Sequence, residues 1–394
     1  MREQFLPFSP PLVGEEEIEG AAAAIRSGWL TTGPRVEQFE SRFSELVGAN
    51  AALALNSCTA ALHVALKTLG VGAGDAVIST PMTFASSIHV IEHVGATPVL
   101  VDVEKDTLNL DPALVDEAAG SHKDVKAILP VHLYGHPADM DPIMETARRI
   151  GAGIVDDAAH AFPASYRGRM IGAAEPGDSS VPRLSAFSFY ATKNVTTGEG
   201  GMLTGNRHLI DSARVWSLHG MSRDAYNRYS ENGSWFYEVV VAGFKYNMPD
   251  IQAAIGLAQL DRIDSMQARR AAIYARYDAA FRTIAELQAP TIRRDVEHSR
   301  HIYPLRLNLD QLAVDRSRFI ELLRERNIGA SVHFIPVHLH PYYRDRYGFR
   351  PEDLPVAYGE YLRLVSLPLN PTMTDADTDD VIEAVAAIVG ENRR

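Results

Sequence analysis

The run Ser185-Ala186-Phe187-Ser188-Phe189-Tyr190-Ala191-Thr192-Lys193-Asn194-Val195-Thr196-Thr197-Gly198-Glu199-Gly200-Gly201 decides how the chain folds. It opens as an apolar, aromatic stretch suited to a buried strand. It then breaks into Thr, Asn and Gly and leaves one lysine at the strand end. Flanked by Phe189, Tyr190 and Val195, Lys193 is not an ordinary solvated charge if the run is buried. Burial lowers the pKa of an ammonium group, and an amine that can shed its proton can form a Schiff base. Gly198, Gly200 and Gly201 let the backbone approach a ligand closely. Taken alone, the run also fits a surface lysine on a glycine-rich turn, so distant segments must choose between the two.

Upstream of this run, strands alternate with helices. Strands are expected at Ala51–Leu55, Val77–Ser79, Pro98–Val101, Val125–Val131 and Gly153–Asp156, with Ala186–Phe189 and Met202–Thr204 closing the set. Helices are expected between them at Thr59–Leu69, Ala85–His93, Asp111–Ala119 and Asp139–Ile150. That alternation predicts an α/β fold with a largely parallel sheet, whose ligands bind beyond the carboxyl ends of the strands. Before it lie an extended arm (Leu6 to Pro11) and helices from Glu15 to Arg26 and through Phe39, Phe43 and Leu46. Beyond it, residues 218–246 read as an irregular loop, and Pro249 opens a helical stretch from Ile251 to about Phe281. After Pro290 the pattern becomes α+β: a strand at Ile302–Leu309 and helices at Arg316–Arg326 and Thr374–Val389.

The 394 residues are 46% apolar and 22% charged, with a formal net charge of −12. The acidic balance argues against a nucleic-acid or anionic-membrane surface. A single cysteine, Cys58, excludes an internal disulfide framework and a cysteine-based zinc cluster. No apolar run approaches membrane-spanning length and no leader-like segment is visible, so a cytoplasmic protein is expected.

Four segments bear on the lysine. Asn56-Ser57-Cys58-Thr59 ends a strand and starts a helix, as a helix cap or as a phosphate site on free N–H groups. Val155-Asp156-Asp157-Ala158-Ala159-His160 sets two carboxylates and a histidine at a strand end. Asp157 there suits a helix cap or a partner that keeps a heteroaromatic nitrogen protonated; a metal site needs more ligands than this segment supplies. Phe84, at a loop-to-helix junction, suits core packing or stacking on a flat ligand. Asn247 and Lys245 sit just ahead of a helix. Together these supply a phosphate cradle, a stacking ring, a carboxylate and a Schiff-base lysine, the set that pyridoxal 5'-phosphate requires.

With these motifs the chain resembles the DegT/DnrJ/EryC1/StrS family of sugar aminotransferases, within the fold-type I (aspartate aminotransferase-like) enzymes. The resemblance runs over nearly the whole chain. It includes Pro130-Val131-His132-Leu133-Tyr134-Gly135, Gly198-Glu199-Gly200-Gly201, Lys245-Tyr246-Asn247 and His333-Phe334-Ile335-Pro336-Val337-His338. It implies a large pyridoxal-phosphate-binding domain (1–289) and a smaller α+β domain (290–394). It also implies that Lys193 holds the cofactor and shuttles protons, Asp157 pairs with the pyridine nitrogen, His160 meets the phenolic oxygen and Phe84 stacks on the ring. Thr59 and Ser188, with Cys58 through its backbone N–H, would bind phosphate, joined by Asn247 from the neighbouring subunit of a homodimer. Arg223, Arg228, Lys245 and His333 are candidates for the nucleotide-sugar substrate. L-glutamate is the implied donor and C4 of a 4-keto-6-deoxy hexose or 4-keto pentose the implied acceptor. A 3-keto sugar, or a non-catalytic binding protein on the same scaffold, is the alternative.

Overall fold

The computed structural model describes residues 2–175, 180–221 and 236–394. Seven strands form the main sheet: β1 (Ala51–Leu55), β2 (Ala76–Ser79), β3 (Thr97–Leu100), β4 (Val125–Leu129), β5 (Gly153–Asp157), β8 (Arg183–Ser188) and β9 (Gly201–Gly205). Between β5 and β8 in the chain lies the small hairpin β6 (Ser165–Tyr166) and β7 (Arg169–Met170). The main sheet runs β1-β9-β8-β5-β4-β2-β3, with every pairing parallel except those of β9, which is antiparallel to both neighbours.

Side chains alternate across each strand, and β1 shows how this feeds two cores. Ala52 and Ala54 join one apolar cluster, while Ala51, Leu53 and Leu55 join the other. The first is completed by α2 (Pro34–Val47), α5 (Pro112–Ser121), α6 (Met140–Ile150) and α8 (Asp250–Asp261). The second takes α3 (Cys58–Thr68), α4 (Ser86–His93) and α7 (Arg207–Ser217). Helix α3 buries every residue from Ala60 to Leu66, as a sequence apolar nearly all round requires, with His63 the one polar side chain among them. α1 (Glu15–Arg26) packs on α8.

The helical stretch expected as one element from Ile251 is two, α8 and α9 (Ile263–Phe281), broken where Arg262 leaves helical geometry. Val131 lies past the end of β4, in an isolated bridge to Asp157. Beyond α9, β10 (Leu287–Gln288), β12 (Tyr303–Leu307) and β13 (Leu364–Leu367) form a second sheet, and β11 (Val296–Glu297) pairs with β6. Helices α10 (Arg316–Glu325), α11 (Pro341–Tyr347), α12 (Pro355–Arg363) and α13 (Asp375–Glu391) complete the chain. The third apolar cluster gathers the second sheet with α10 and α13, and also takes Leu6, Ile273, Tyr277 and Phe281 from earlier in the chain.

Candidate active site

The parallel strands deliver their carboxyl ends to one cavity of about 480 Å³. After β1 come Ser57, Cys58 and Thr59; after β2, Thr83 and Phe84; at and beyond the end of β5, Asp157, Ala159 and His160; at the end of β8, Ser188, and beyond it Lys193. His301, His333 and Phe334 close the cavity from the C-terminal part of the chain.

Helix α3 points its N-terminus into this space. Ser57 is its N-cap and accepts from the amide of Ala60 at 3.1 Å. The first-turn amides of Cys58 and Thr59 have no helical carbonyl to donate to, which makes them an anion cradle. Strand β9 holds that turn in place at very close range. A Cβ on Gly201 would stand 2.5 Å from the Ser57 carbonyl carbon and 2.6 Å from the Cys58 nitrogen, so only glycine fits.

Alternation along β5 separates the two carboxylates. Asp156 turns away from the cavity to Arg183 (2.7 Å) and Ser185, and Arg183 holds it well below the usual carboxylate range. Asp157 faces the cavity, accepting from Ser87 Oγ (2.6 Å) and the Ala159 amide (3.0 Å). Burial pushes its pKa up, against the opposing pull of those two hydrogen bonds. Among the described residues it has no cationic salt-bridge partner, so a cation seated against it would relieve the cost of burial.

Lys193 is half-buried and lines the cavity. Burial lowers its pKa to about 8, although Cys58 and Asp157 pull the other way. Burial also raises the Cys58 thiol, leaving it an inert neighbour.

Two imidazoles beside Lys193 are fixed as opposite tautomers. His160 Nδ1 accepts from the Tyr134 amide at 3.2 Å, so its proton sits on Nε2. The Asn194 amide donates to the Ser299 carbonyl at 2.9 Å, which turns its oxygen towards His301 Nδ1 at 3.0 Å. His301 therefore carries its proton on Nδ1 and a lone pair on Nε2. The rings lie 4.5 Å apart, and burial keeps both neutral, with pKa values well below the ordinary one.

The exposed ring of Phe84 borders the cavity, 6.0 Å from Phe334. Asn247 and Lys245 do not line the cavity. Asn247 Nδ2 donates to Thr32 at 2.7 Å, and Lys245 donates to the Asn247 carbonyl oxygen. Asp250, which opens α8, accepts from the amides of Gly33, Arg35 and Val36 at the N-terminus of α2. Arg223 and Arg228 lie outside the described residues. Ser87, His301 and Phe8 also belong to this site without any local mark in the sequence, and so does Phe334, which lies in the 333–338 motif quoted above.

An aldehyde-bearing, phosphorylated pyridine fits these residues: an anion cradle, a carboxyl lacking a cation, a neutral N–H donor and an amine of lowered basicity. The sequence model of the DegT/DnrJ/EryC1/StrS aminotransferase family matches residues 11–386. The chain belongs to that family. It is a pyridoxal-phosphate-dependent aminotransferase of fold type I. It is similar to the Bacillus subtilis spore coat polysaccharide biosynthesis protein SpsC: the two are 51% identical over 390 residues, 98% of each chain. A putative sugar aminotransferase, Spr1654 of Streptococcus pneumoniae, solved in its PLP form, superposes with a TM-score of 0.89 at 34% identity over 98% of this chain and 99% of that one. DesV of S. venezuelae gives 0.86 at 33%, again over 98% and 99%. In this aminotransferase no helix among the described residues is long and apolar enough to cross a membrane.

Proposed function

We propose that this aminotransferase moves an amino group from L-glutamate to the keto carbon of a nucleotide-linked sugar, C4 of a 4-keto-6-deoxy hexose or 4-keto pentose, and works as a homodimer. The observation that carries the reading is a lysine of lowered basicity in one cavity with a buried carboxyl that has no salt-bridge partner among the described residues and an open helix N-terminus. Support for a sugar acceptor comes from the relatives, one named for polysaccharide biosynthesis and one as a putative sugar aminotransferase.

When bound, pyridoxal phosphate supplies an aldehyde that takes the amino group and a ring that withdraws electrons. The amides of Cys58 and Thr59, with the hydroxyls of Thr59 and Ser188, hold its phosphate. Asp157 keeps the pyridine nitrogen protonated, and His160 donates its Nε2–H to the phenolic oxygen. Phe84 covers a ring face. Lys193 takes a proton from the donor's α-carbon and returns one at the sugar carbon, its Nζ cycling between amine and ammonium near neutral pH. Asn247 and Lys245, bonded to each other outside their own cavity, serve the neighbouring one. There Asn247 reaches the cofactor phosphate; Lys245, Arg223 and Arg228 are the candidates for the substrate diphosphate. His333 lies on the sugar side.

Incubation with glutamate and a panel of 3-keto and 4-keto nucleotide sugars tests this. Release of 2-oxoglutarate matched by a 4-amino sugar is expected. Product from 3-keto sugars alone moves the reaction to C3, and no product from any sugar overturns the acceptor class.

A further inference from the structure

The N-terminal arm, unused by that mechanism, runs across the C-terminal part of the chain before it reaches the cavity. Arg2 pairs with Asp377 (2.6 Å) and Asp380 (2.7 Å) on α13, and Asn327 donates to its carbonyl. Leu6 is buried and exchanges backbone hydrogen bonds of 2.8 Å with Asn327 and Gly329. A Cβ on Gly329 would stand 2.9 Å from the Leu6 oxygen and 3.0 Å from the Phe8 nitrogen, so the glycine lets the arm lie flat there. Phe8 then stacks on His333, with ring centroids 5.1 Å apart and planes at 21°. Ser9 donates to the carbonyl of Thr192, the residue before Lys193, at 3.2 Å.

We propose that Phe8 is a substrate-contacting, specificity-determining residue, held by an arm that ties the C-terminal part of the chain to the lysine loop. It presents an apolar wall to the C–H face or deoxy carbon of the sugar and keeps His333 against it. This rests on the keto-sugar reading above. Phe8 is only half-buried and lines the cavity together with His333. His333 also meets Phe334 edge-on at 5.1 Å, and Phe334 leads to Phe84, so the rings form a continuous aromatic rim. A methyl group or C–H face gains by burial against such a rim. A hydroxyl or carboxylate placed there is stripped of water without a partner. The arm is anchored on both sides of Phe8, at Leu6 and at Ser9, which fixes the ring without burying it.

Phe8→Ala and Phe8→Tyr, before and after loading with pyridoxal phosphate, test the proposal with two readouts. The first, read before the cofactor is loaded, is the protonation of His333 by NMR, identified by its absence in His333→Asn. Burial, with the Lys193 charge, lowers this imidazole's pKa to about 4 in the cofactor-free protein, so in the parent it stays neutral down to about pH 5. With Phe8→Ala it gains water and titrates above that pH. The second is kinetic. Phe8→Ala raises KM for the keto-sugar nucleotide at least about tenfold, while the donor half-reaction, followed by cofactor absorbance, stays within about twofold. Phe8→Tyr keeps the ring and restores both. A sugar KM within about twofold of the parent in Phe8→Ala overturns the proposal. If the parent turns over no keto sugar, the acceptor reading fails on its own. Phe8 is then judged by His333: a midpoint that rises upholds the positioning, and one that stays near the parent value overturns it.

Discussion

Lys193 and Asp157 are each held in a protonation balance that bulk water would not give them. A lysine with a pKa of about 8 is largely neutral at mildly alkaline pH, whereas a solvated one is not. Only the neutral amine attacks an aldehyde. Covalent attachment of pyridoxal phosphate to the cofactor-free protein, followed by visible absorbance, should therefore quicken about tenfold per pH unit and level off near pH 8. A rise that continues to about pH 10 would mark Lys193 as an ordinary solvated amine. Borohydride should then fix the cofactor on the Lys193 peptide. Asp157 has the opposite problem, since burial raises its pKa and a ring cation is what makes its charged form favourable. Asparagine keeps the hydrogen-bonding shape but has no charge to hold the ring proton. Asp157→Asn should cost about a hundredfold or more in kcat while the melting temperature barely moves. Activity close to the parent would remove Asp157 from its assigned role. At this scale the sequence was readable for residues at strand ends and silent for the rest. His301 lies over a hundred positions after Lys193, and its tautomer is set by Asn194 and Ser299, partners that no spacing rule connects.

Among the elements, α3 and β9 decide whether the phosphate cradle exists. The cradle needs the α3 N-terminus within reach of the lysine loop, and β9 reaches it only because Gly201 has no Cβ to collide with Ser57 and Cys58. The obstructing atoms are backbone, so they cannot rotate aside. Gly201→Ala should destabilise the fold by about 1–3 kcal/mol. It should also weaken cofactor affinity, measured by titrating the cofactor-free variant. Unchanged affinity would separate the cradle from the packing of β9. Strands and helices of the main sheet matched the sequence to within a few residues, because β1 to β5 and the helices between them carry strong apolar periodicity. The break at Arg262 was not legible. Both flanking segments favour helix, and the kink coincides with bonds from Arg262 to Glu17 and Leu12, far away in the chain.

For the whole molecule the decisive fact is that Asn247 does not line the cavity of its own chain and is bonded instead to Thr32 and Lys245. In a two-fold dimer each chain would lend Asn247 and receive its neighbour's. Lys193→Ala and Asn247→Ala homodimers should both be impaired, and in a mixed dimer one site regains both residues. Subunit exchange between the two should restore activity, up to about half that of the parent per mixed dimer. Provided Asn247→Ala alone is strongly defective, no recovery after verified exchange would return Asn247 to its own site. The sequence by itself determined the layered α/β plan, the strand ends at which chemistry gathers, and the residue types that suit pyridoxal phosphate, since periodicity and strand-end polarity are local properties. Only the tertiary structure decided what turns Asp156 away from the cavity, which nitrogen of His160 and of His301 is free, and that Phe8 reaches the site. Those depend on through-space partners (Arg183 for Asp156, Tyr134 for His160, His333 for Phe8) that lie from 26 to 325 residues away in the chain.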